Sequence, residues 1–161
     1  MTGIAFTLNE KPIALDVHPN QSLLSVLREN LGLTGTKCGC DTGDCGVCAI
    51  LLDGRLVYSC RVKAGDLEGR KVITIEGVHG RDGGLSDVQA ALLEHGAVQC
   101  GYCIPAMVLA GEGLLAHKPA PTRQEIRDAI TPVLCRCTGY QQIIEAIEDA
   151  ACRRQVSAQL G

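Results

Sequence analysis

Aromatic side chains are almost missing from this chain of 161 residues, which has no tryptophan, one phenylalanine and three tyrosines. Apolar residues nevertheless make up 46% of the chain, so any core must be built mainly from aliphatic side chains. Small aliphatic cores supply little folding free energy, and natural domains of this kind often add a bound metal. The composition therefore predicts a compact chain whose stability does not depend on its apolar core alone.

A basic surplus and a long apolar run are also missing. The net charge of −3 and the absence of a basic cluster argue against a nucleic-acid partner. No apolar stretch approaches membrane-spanning length, and residues 1–9 lack the features of a secretory signal. These absences predict a cytoplasmic chain with no membrane span, in which cysteines are metal ligands rather than disulfide partners.

Cysteine, by contrast, is abundant, and eight of the ten cysteines fall into two blocks of four. The first block has Cys40, Cys45 and Cys48 at the spacing C-x4-C-x2-C, followed by Cys60. Plant-type ferredoxins use this spacing to hold a [2Fe-2S] cluster through four thiolates. A structural zinc site is the alternative, but it usually shows C-x2-4-C pairs, and three cysteines in one short loop fit it poorly.

The residues around the first block support close wrapping of the loop. Gly39, Gly43 and Gly46 are predicted to allow positive φ or close approach where a side chain would collide. Such a loop directs backbone N–H groups inward, which stabilises an anionic cluster. Cys38 lies two residues before Cys40, but only Cys40 gives the ferredoxin spacing, so we interpret Cys38 as a loop residue.

The second block consists of Cys100 and Cys103, followed by Cys135 and Cys137. A C-x2-C pair alone occurs in zinc knuckles, redox dithiols and clusters alike. Two cysteines separated by one residue are awkward for a tetrahedral structural zinc site, and no thioredoxin-like βαβ pattern surrounds the first pair. The second block therefore favours a second cluster, with zinc as the alternative.

Three motifs in order carry a family resemblance over nearly the whole chain: GTKCGCDTGDCGVC at 35–48, VQCGYCIP at 98–105 and LCRCTGY at 134–140. With these motifs the chain resembles the small iron–sulfur subunit of the molybdenum hydroxylases, the xanthine oxidase and aldehyde oxidoreductase family. The resemblance implies a first cluster in a ferredoxin-like domain on the flavin side of the enzyme. It implies a second cluster in a helical domain against the molybdenum cofactor.

The resemblance also assigns two residues that contact molybdopterin, Gln99 and Cys137. Spacing alone makes Gln99 an ordinary loop residue. The chain departs from the family nearby, since it has Cys103-Ile-Pro-Ala106 where the family commonly has Cys-Thr-Pro-Gly. We therefore expect a changed backbone approach to the cofactor at this edge.

The secondary-structure signals predict an α+β fold in two domains. Residues 1–78 show alternating strand patterns and one short helix, and the resemblance implies a β-grasp ferredoxin-like domain for them. Residues 79–84 are predicted to be a linker, because they are polar and rich in glycine. Residues 85–161 are predicted to form a four-helix bundle that binds the second [2Fe-2S] cluster. The predicted elements are a hairpin of 4–8 and 13–17 with a turn at 9–12, a helix from Ser22 to Gly32, strands within 47–52, 56–60 and 72–75, and helices that begin near Ser86, Pro105, Thr122 and Gln141.

Cys152 lies outside both blocks, in the last predicted helix. A free cysteine on a helix is most often a partly buried, unreactive thiol. We therefore expect Cys152 to be partly buried and to play no part in metal binding.

The predicted function is that of the electron-transfer subunit of a molybdenum-containing hydroxylase. The resemblance implies a route from the molybdenum cofactor through the second cluster, then the first, to FAD on another chain or to an external acceptor. It implies a large partner subunit that holds most of the molybdopterin, and a medium FAD subunit or a cytochrome. No residue of this chain is expected to touch the substrate.

Two other functions remain open at this point. A stand-alone ferredoxin-like carrier would usually be more acidic than a net charge of −3 on 161 residues. A zinc-stabilised interaction module without a redox role is the second alternative.

Overall fold

The chain begins with a five-stranded mixed sheet and continues into a group of helices. The computed structural model describes residues 1–159. The strand order is β2-β1-β5-β3-β4, in which β1 and β5 are parallel and the other neighbours antiparallel. This mixed sheet followed by helices confirms the predicted α+β class. The strands are β1 Thr2–Leu8, β2 Lys11–Val17, β3 Ala49–Leu52, β4 Arg55–Tyr58 and β5 Lys71–Ile73.

The predicted hairpin is present, with a tighter turn than expected. Only Asn9 and Glu10 connect the strands, with φ angles of 48° and 66°. Two central residues with positive φ suit the right-handed twist of a hairpin. Pro12 belongs to β2, which corrects its predicted place in the turn. A proline is tolerated there because β2 is an edge strand.

The helix after the hairpin differs from the expected α-helix. Ser22 caps it as predicted by accepting a hydrogen bond from the backbone N–H of Ser25 at 3.2 Å. The α-helical part, α1, covers only Leu23–Ser25 and continues as a π-helical turn over Val26–Asn30. Apolar spacing cannot distinguish these two forms, because the wider turn still buries the same leucines. Gly32, with φ of +67°, follows its end.

Four further helices follow in the second half: α2 Asp87–Glu94, α3 Ile104–His117, α4 Arg123–Ile130 and α5 Gln141–Gln159. Helices α2 and α4 begin directly after Ser86 and Thr122, as predicted, and each of these residues forms a capping box. Pro105 lies in the first turn of α3, where its missing N–H has no intrahelical partner to lose. None of the helices within residues 1–159 combines the length and apolar character that a bilayer span requires.

Two apolar cores hold the molecule together. One lies between the sheet and the first helix and includes Leu23, Leu27 and Ile50. The other lies among the helices, but it also includes Val47 and Ala49 from the first half. The two halves therefore share buried side chains as well as the chain between them.

The predicted linker, residues 79–84, forms a closed turn in which the N–H of Gly80 donates to the carbonyl of Gly84 at 2.8 Å. Farther along, Cys152 is exposed, which corrects the expectation of a partly buried thiol. The buried face of α5 is instead defined by Ile147 and Ala151, and Cys152 lies off that face.

Candidate metal centres

The first three cysteines of the amino-terminal block lie in one loop, which precedes β3. The Cys40 sulfur accepts hydrogen bonds from the backbone N–H groups of Thr42, Asp44 and Cys45 at 3.3–3.4 Å. The Cys45 sulfur accepts one from the N–H of Cys40 at 3.4 Å. A Cβ at Gly39 would lie 2.7 Å from the Cys45 sulfur, so this loop leaves no room for a side chain there. The inward N–H groups are those that an anionic group requires.

The fourth cysteine of this block reaches the loop from a turn. β4 ends at Tyr58, and Cys60 lies in the 3-10 turn Ser59–Arg61, whereas the sequence predicted a strand up to Cys60. The Cys60 thiol lies beside the buried thiol of Cys48. The Ser59 hydroxyl donates to the Cys48 carbonyl at 2.7 Å and fixes the turn against the loop. The four sulfurs therefore form two pairs, Cys40 with Cys45 and Cys48 with Cys60.

The second block is assembled from two distant segments. Cys103 is the N-cap of α3, and Cys100 lies in the turn before it. Cys135 and Cys137 lie in the connection between α4 and α5. The Cys103 thiol lies beside that of Cys135, and the Cys137 thiol beside that of Cys100. These four sulfurs also form two pairs.

Paired thiols fit a two-iron cluster better than a single ion. Within residues 1–159, no three Cys, His, Asp or Glu side chains converge closely enough to hold one metal ion. A structural zinc site needs four ligands around one point, whereas a [2Fe-2S] cluster takes two thiolates at each of two irons. The donor set and the inward N–H groups of the first loop fit such a cluster as well. Both blocks could therefore hold a [2Fe-2S] cluster.

The thiol pKa values reflect this pairing. Hydrogen bonds from the Thr42 side chain and then from backbone N–H groups, that of Cys45 first, lower the pKa of Cys40 to about 5. Burial, and then the neighbouring Cys48 or Cys135, raises the pKa of Cys60 and of Cys103 to about 12. Metal binds the thiolate form of cysteine, so metal binding must release the thiol protons of Cys60 and Cys103. Higher pH therefore favours metal binding.

The loops that carry the two groups of cysteines are in direct contact, which no local sequence signal indicated. The N–H of Leu134, the residue before Cys135, donates to the carbonyl of Cys45 at 2.8 Å. The hydroxyl of Tyr102, between Cys100 and Cys103, donates to the carbonyl of Cys38. Cys38 itself lies in the loop with an exposed thiol. The carbonyl and N–H partners come from the backbone, so residue type alone could not reveal them.

The second group has one buried and one open side. Cys103 and Cys135 are buried, whereas Cys100 and Cys137 are exposed. Gln99 is also exposed and directly precedes Cys100. Of the two residues that depart from the family pattern, Ala106 is buried in the helical core and Ile104 is partly buried, and the changed approach to the cofactor stays a prediction. The open side is available to a group held by another chain.

The fold and the two sets of paired thiols define a two-part protein built around two [2Fe-2S] centres. Models of known families agree with this class. Residues 6–74 match a family described as "2Fe-2S iron-sulfur cluster binding domain", and residues 74–148 match one described as "[2Fe-2S] binding domain". These matches disfavour the zinc-stabilised module.

Individual proteins give a finer comparison. The chain is 44% identical over 147 residues to the nicotinate dehydrogenase small FeS subunit of Eubacterium barkeri, covering 91% of this chain and 93% of that one. It is 43% identical to the aldehyde oxidoreductase of Megalodesulfovibrio gigas over 81% of this chain but only 15% of that longer protein. The structure of quinoline 2-oxidoreductase from Pseudomonas putida 86 superposes with a TM-score of 0.90 and 41% identity, covering 98% of this chain and 96% of the matched one.

The chain belongs to the small iron–sulfur subunits of the molybdenum hydroxylase family, which includes xanthine dehydrogenases and aldehyde oxidoreductases. It is therefore an electron-transfer subunit of an oxidoreductase, and the alternative of a stand-alone ferredoxin-like carrier is disfavoured.

Proposed function

We propose that this chain passes electrons one at a time from a molybdenum cofactor on a large partner subunit, through the second cluster and then the first, to an acceptor. The proposed acceptor is FAD on a medium subunit, with a cytochrome or another external acceptor as the alternative. Each cluster, when bound, supplies a one-electron carrier. The large subunit would select the substrate, and no residue of this chain would contact it. The proposed ligands are Cys40, Cys45, Cys48 and Cys60 for the first cluster and Cys100, Cys103, Cys135 and Cys137 for the second.

One hydrogen bond carries the proposal that the two clusters act in series. It joins the carbonyl of Cys45 to the N–H of Leu134, and Leu134 is covalently bonded to Cys135. Electron tunnelling weakens less steeply through covalent and hydrogen bonds than across empty space. A ligand of one cluster is thereby connected to a ligand of the other through backbone atoms alone.

The open side of the second group supports the direction of transfer. Its exposed thiols, Cys100 and Cys137, are the parts of the second group most accessible to a neighbouring subunit. The adjacent Gln99 carries an amide that both donates and accepts hydrogen bonds, as the polar edge of a pterin requires. We therefore propose that Gln99 and Cys137 contact molybdopterin held mainly by the large subunit.

The domain division into 1–78, a linker at 79–84, and 85–161 belongs to the same proposal. It is supported by the matches to two family models, which meet at residue 74. The cytoplasmic location expected from the sequence stays a prediction.

The ligand assignment is tested by measuring iron and acid-labile sulfide on the anaerobically purified chain, with electron paramagnetic resonance after dithionite reduction. We expect about four irons and about four sulfides per chain, because each [2Fe-2S] cluster holds two of each. Two distinguishable S = 1/2 signals should accompany them. Zinc in place of iron, or a single signal, would contradict the proposal.

The pterin contact is tested by Gln99→Ala in the assembled complex. Loss of the amide should reduce the molybdenum cofactor retained per complex several-fold, because buried polar groups of the cofactor lose their partner. Iron content should not change. Gln124→Ala is the matched control. Gln124 is also an exposed glutamine, but it lies in the first turn of α4, away from the end that leads to Cys135. Equal cofactor retention in both variants would remove Gln99 from the proposed contact.

A further inference from the structure

Three hydrogen bonds close a ring around Cys135, one of the proposed ligands of the second cluster. The N–H of Cys135 donates to the Tyr140 hydroxyl oxygen at 2.8 Å. The N–H of Tyr140 donates to the Thr138 hydroxyl oxygen at 3.2 Å. That hydroxyl oxygen in turn lies 3.1 Å from the Cys135 sulfur. The ring therefore begins and ends on the same cysteine.

Binding of iron to Cys135 would fix the direction of the Thr138 hydroxyl proton. A hydroxyl has one proton to donate, and its oxygen already accepts a hydrogen bond from Tyr140. An iron-bound cysteine sulfur carries no proton, so only the hydroxyl can donate in the contact between Thr138 and Cys135.

Tyr140 is held in an unusual backbone conformation within this ring. Its φ angle is +70°, in the left-handed region that tyrosine rarely adopts. Such a conformation persists only where surrounding interactions hold it, and it is often found at functional positions. Here it directs the Tyr140 N–H to Thr138 while the phenol group of Tyr140 holds Cys135.

The first group surrounds its sulfur mainly with backbone donors. Three backbone N–H groups meet the Cys40 sulfur, and the Thr42 hydroxyl beside that sulfur is shared with the Asp44 carboxylate. Backbone donors are largely insensitive to side-chain substitution. In the second group, a side-chain hydroxyl directly contacts a proposed ligand sulfur.

From this ring, and resting on the proposed ligand set, we propose that Thr138 sets the reduction potential of the second cluster, with Tyr140 as its positioning residue. One-electron reduction adds one negative charge to the cluster and its thiolates. A hydrogen bond to a ligand sulfur stabilises that charge and so raises the potential. Thr138 thereby makes the second cluster a better electron acceptor without changing the first.

The test is a redox titration followed by electron paramagnetic resonance on the anaerobically purified complex. Thr138→Val keeps the side-chain shape and removes the hydroxyl, so the midpoint of the second signal should become more negative. The midpoint of the first signal should not move. Thr138→Ser retains the hydroxyl and should retain the wild-type midpoint. Thr131→Val is the matched control, because the Thr131 hydroxyl donates to the Arg127 carbonyl and not to a sulfur.

Each contrary outcome points to a different error. If wild-type protein shows only one signal, the proposed ligand set is wrong and the role of Thr138 falls with it. If both signals are present with full iron content and Thr138→Val leaves the second midpoint unchanged, the proposed function stands and the role of Thr138 is overturned. An equal shift in Thr138→Ser would assign the effect to packing of the methyl group and would also overturn it.

Discussion

The two cysteine groups reach the same paired arrangement by different routes. Cys40, Cys45 and Cys48 lie in one loop, whose short spacing and glycines bring their sulfurs close together. Cys103 and Cys135 are far apart in the chain and meet only because the start of α3 lies beside the connection between α4 and α5. Three of the four cysteines of the first group are thus placed locally, whereas the second group depends on how the helices pack.

The loop of the first group also packs against the backbone around Pro132, which leads to the second group. Gly46 of the first loop has φ of +70°, and a side chain there would overlap the carbonyl of Pro132. Tyr58 donates its hydroxyl proton to that same carbonyl at 2.9 Å. That loop is therefore fitted closely against the backbone that carries Cys135.

The largest expected effect comes from removing one proposed ligand in each group. Cys45→Ser should abolish the first cluster's paramagnetic signal and leave the second, because the Cys45 side chain is not part of the second group. Cys103→Ser should do the reverse. Each variant should retain about two irons per chain. Loss of both signals from either variant would show that the direct contact makes the two centres assemble only together.

A smaller but still large effect is expected from Gly46→Ala. The variant combines left-handed strain with overlap on Pro132, and we expect destabilisation by about 3–5 kcal/mol. Gly69→Ala is the matched control, because Gly69 also has φ of +70° but has no atom within 4 Å of an added Cβ. Its cost should be only about 1–2 kcal/mol. Thermal unfolding followed by circular dichroism compares the two, and equal midpoints would argue against the tight contact at Gly46.

The smallest effect is expected from Tyr58→Phe, which removes the hydrogen bond to Pro132 and keeps the ring. A part-buried hydrogen bond of this kind contributes about 1 kcal/mol. Tyr102→Phe removes the bond to Cys38, but water replaces it more readily because Tyr102 is 46% exposed. In the same thermal unfolding measurement, the midpoint of Tyr58→Phe should therefore be lower than that of Tyr102→Phe. The opposite order would place the main inter-loop contact at Tyr102.

Sequence reasoning succeeded where the signal is local. Helices α2 and α4 begin after Ser86 and Thr122 as predicted, because the capping signal at each start depends on residues at most three apart. The π-helical turn after Ser25 was missed because apolar spacing does not separate it from an α-helix. Cys152 was expected to be partly buried, but the helical phase set by packing leaves it exposed.

The contacts between the two cysteine groups had no sequence signal at all. The bond between Leu134 and Cys45 uses only main-chain atoms, which every residue other than proline provides. The ring around Cys135 depends on the left-handed conformation of Tyr140, for which the residue type gives no warning. Both features follow from tertiary packing rather than from spacing.

Val47 and Ala49 connect the sheet to the helical core, and this has a kinetic consequence. Side chains buried across the junction oppose rotation of one half against the other. The two proposed clusters are then held at one separation in every molecule. We therefore expect the rate of electron transfer between the two clusters to be independent of solvent viscosity. In carriers whose domains must first move together, that rate would fall as viscosity rises.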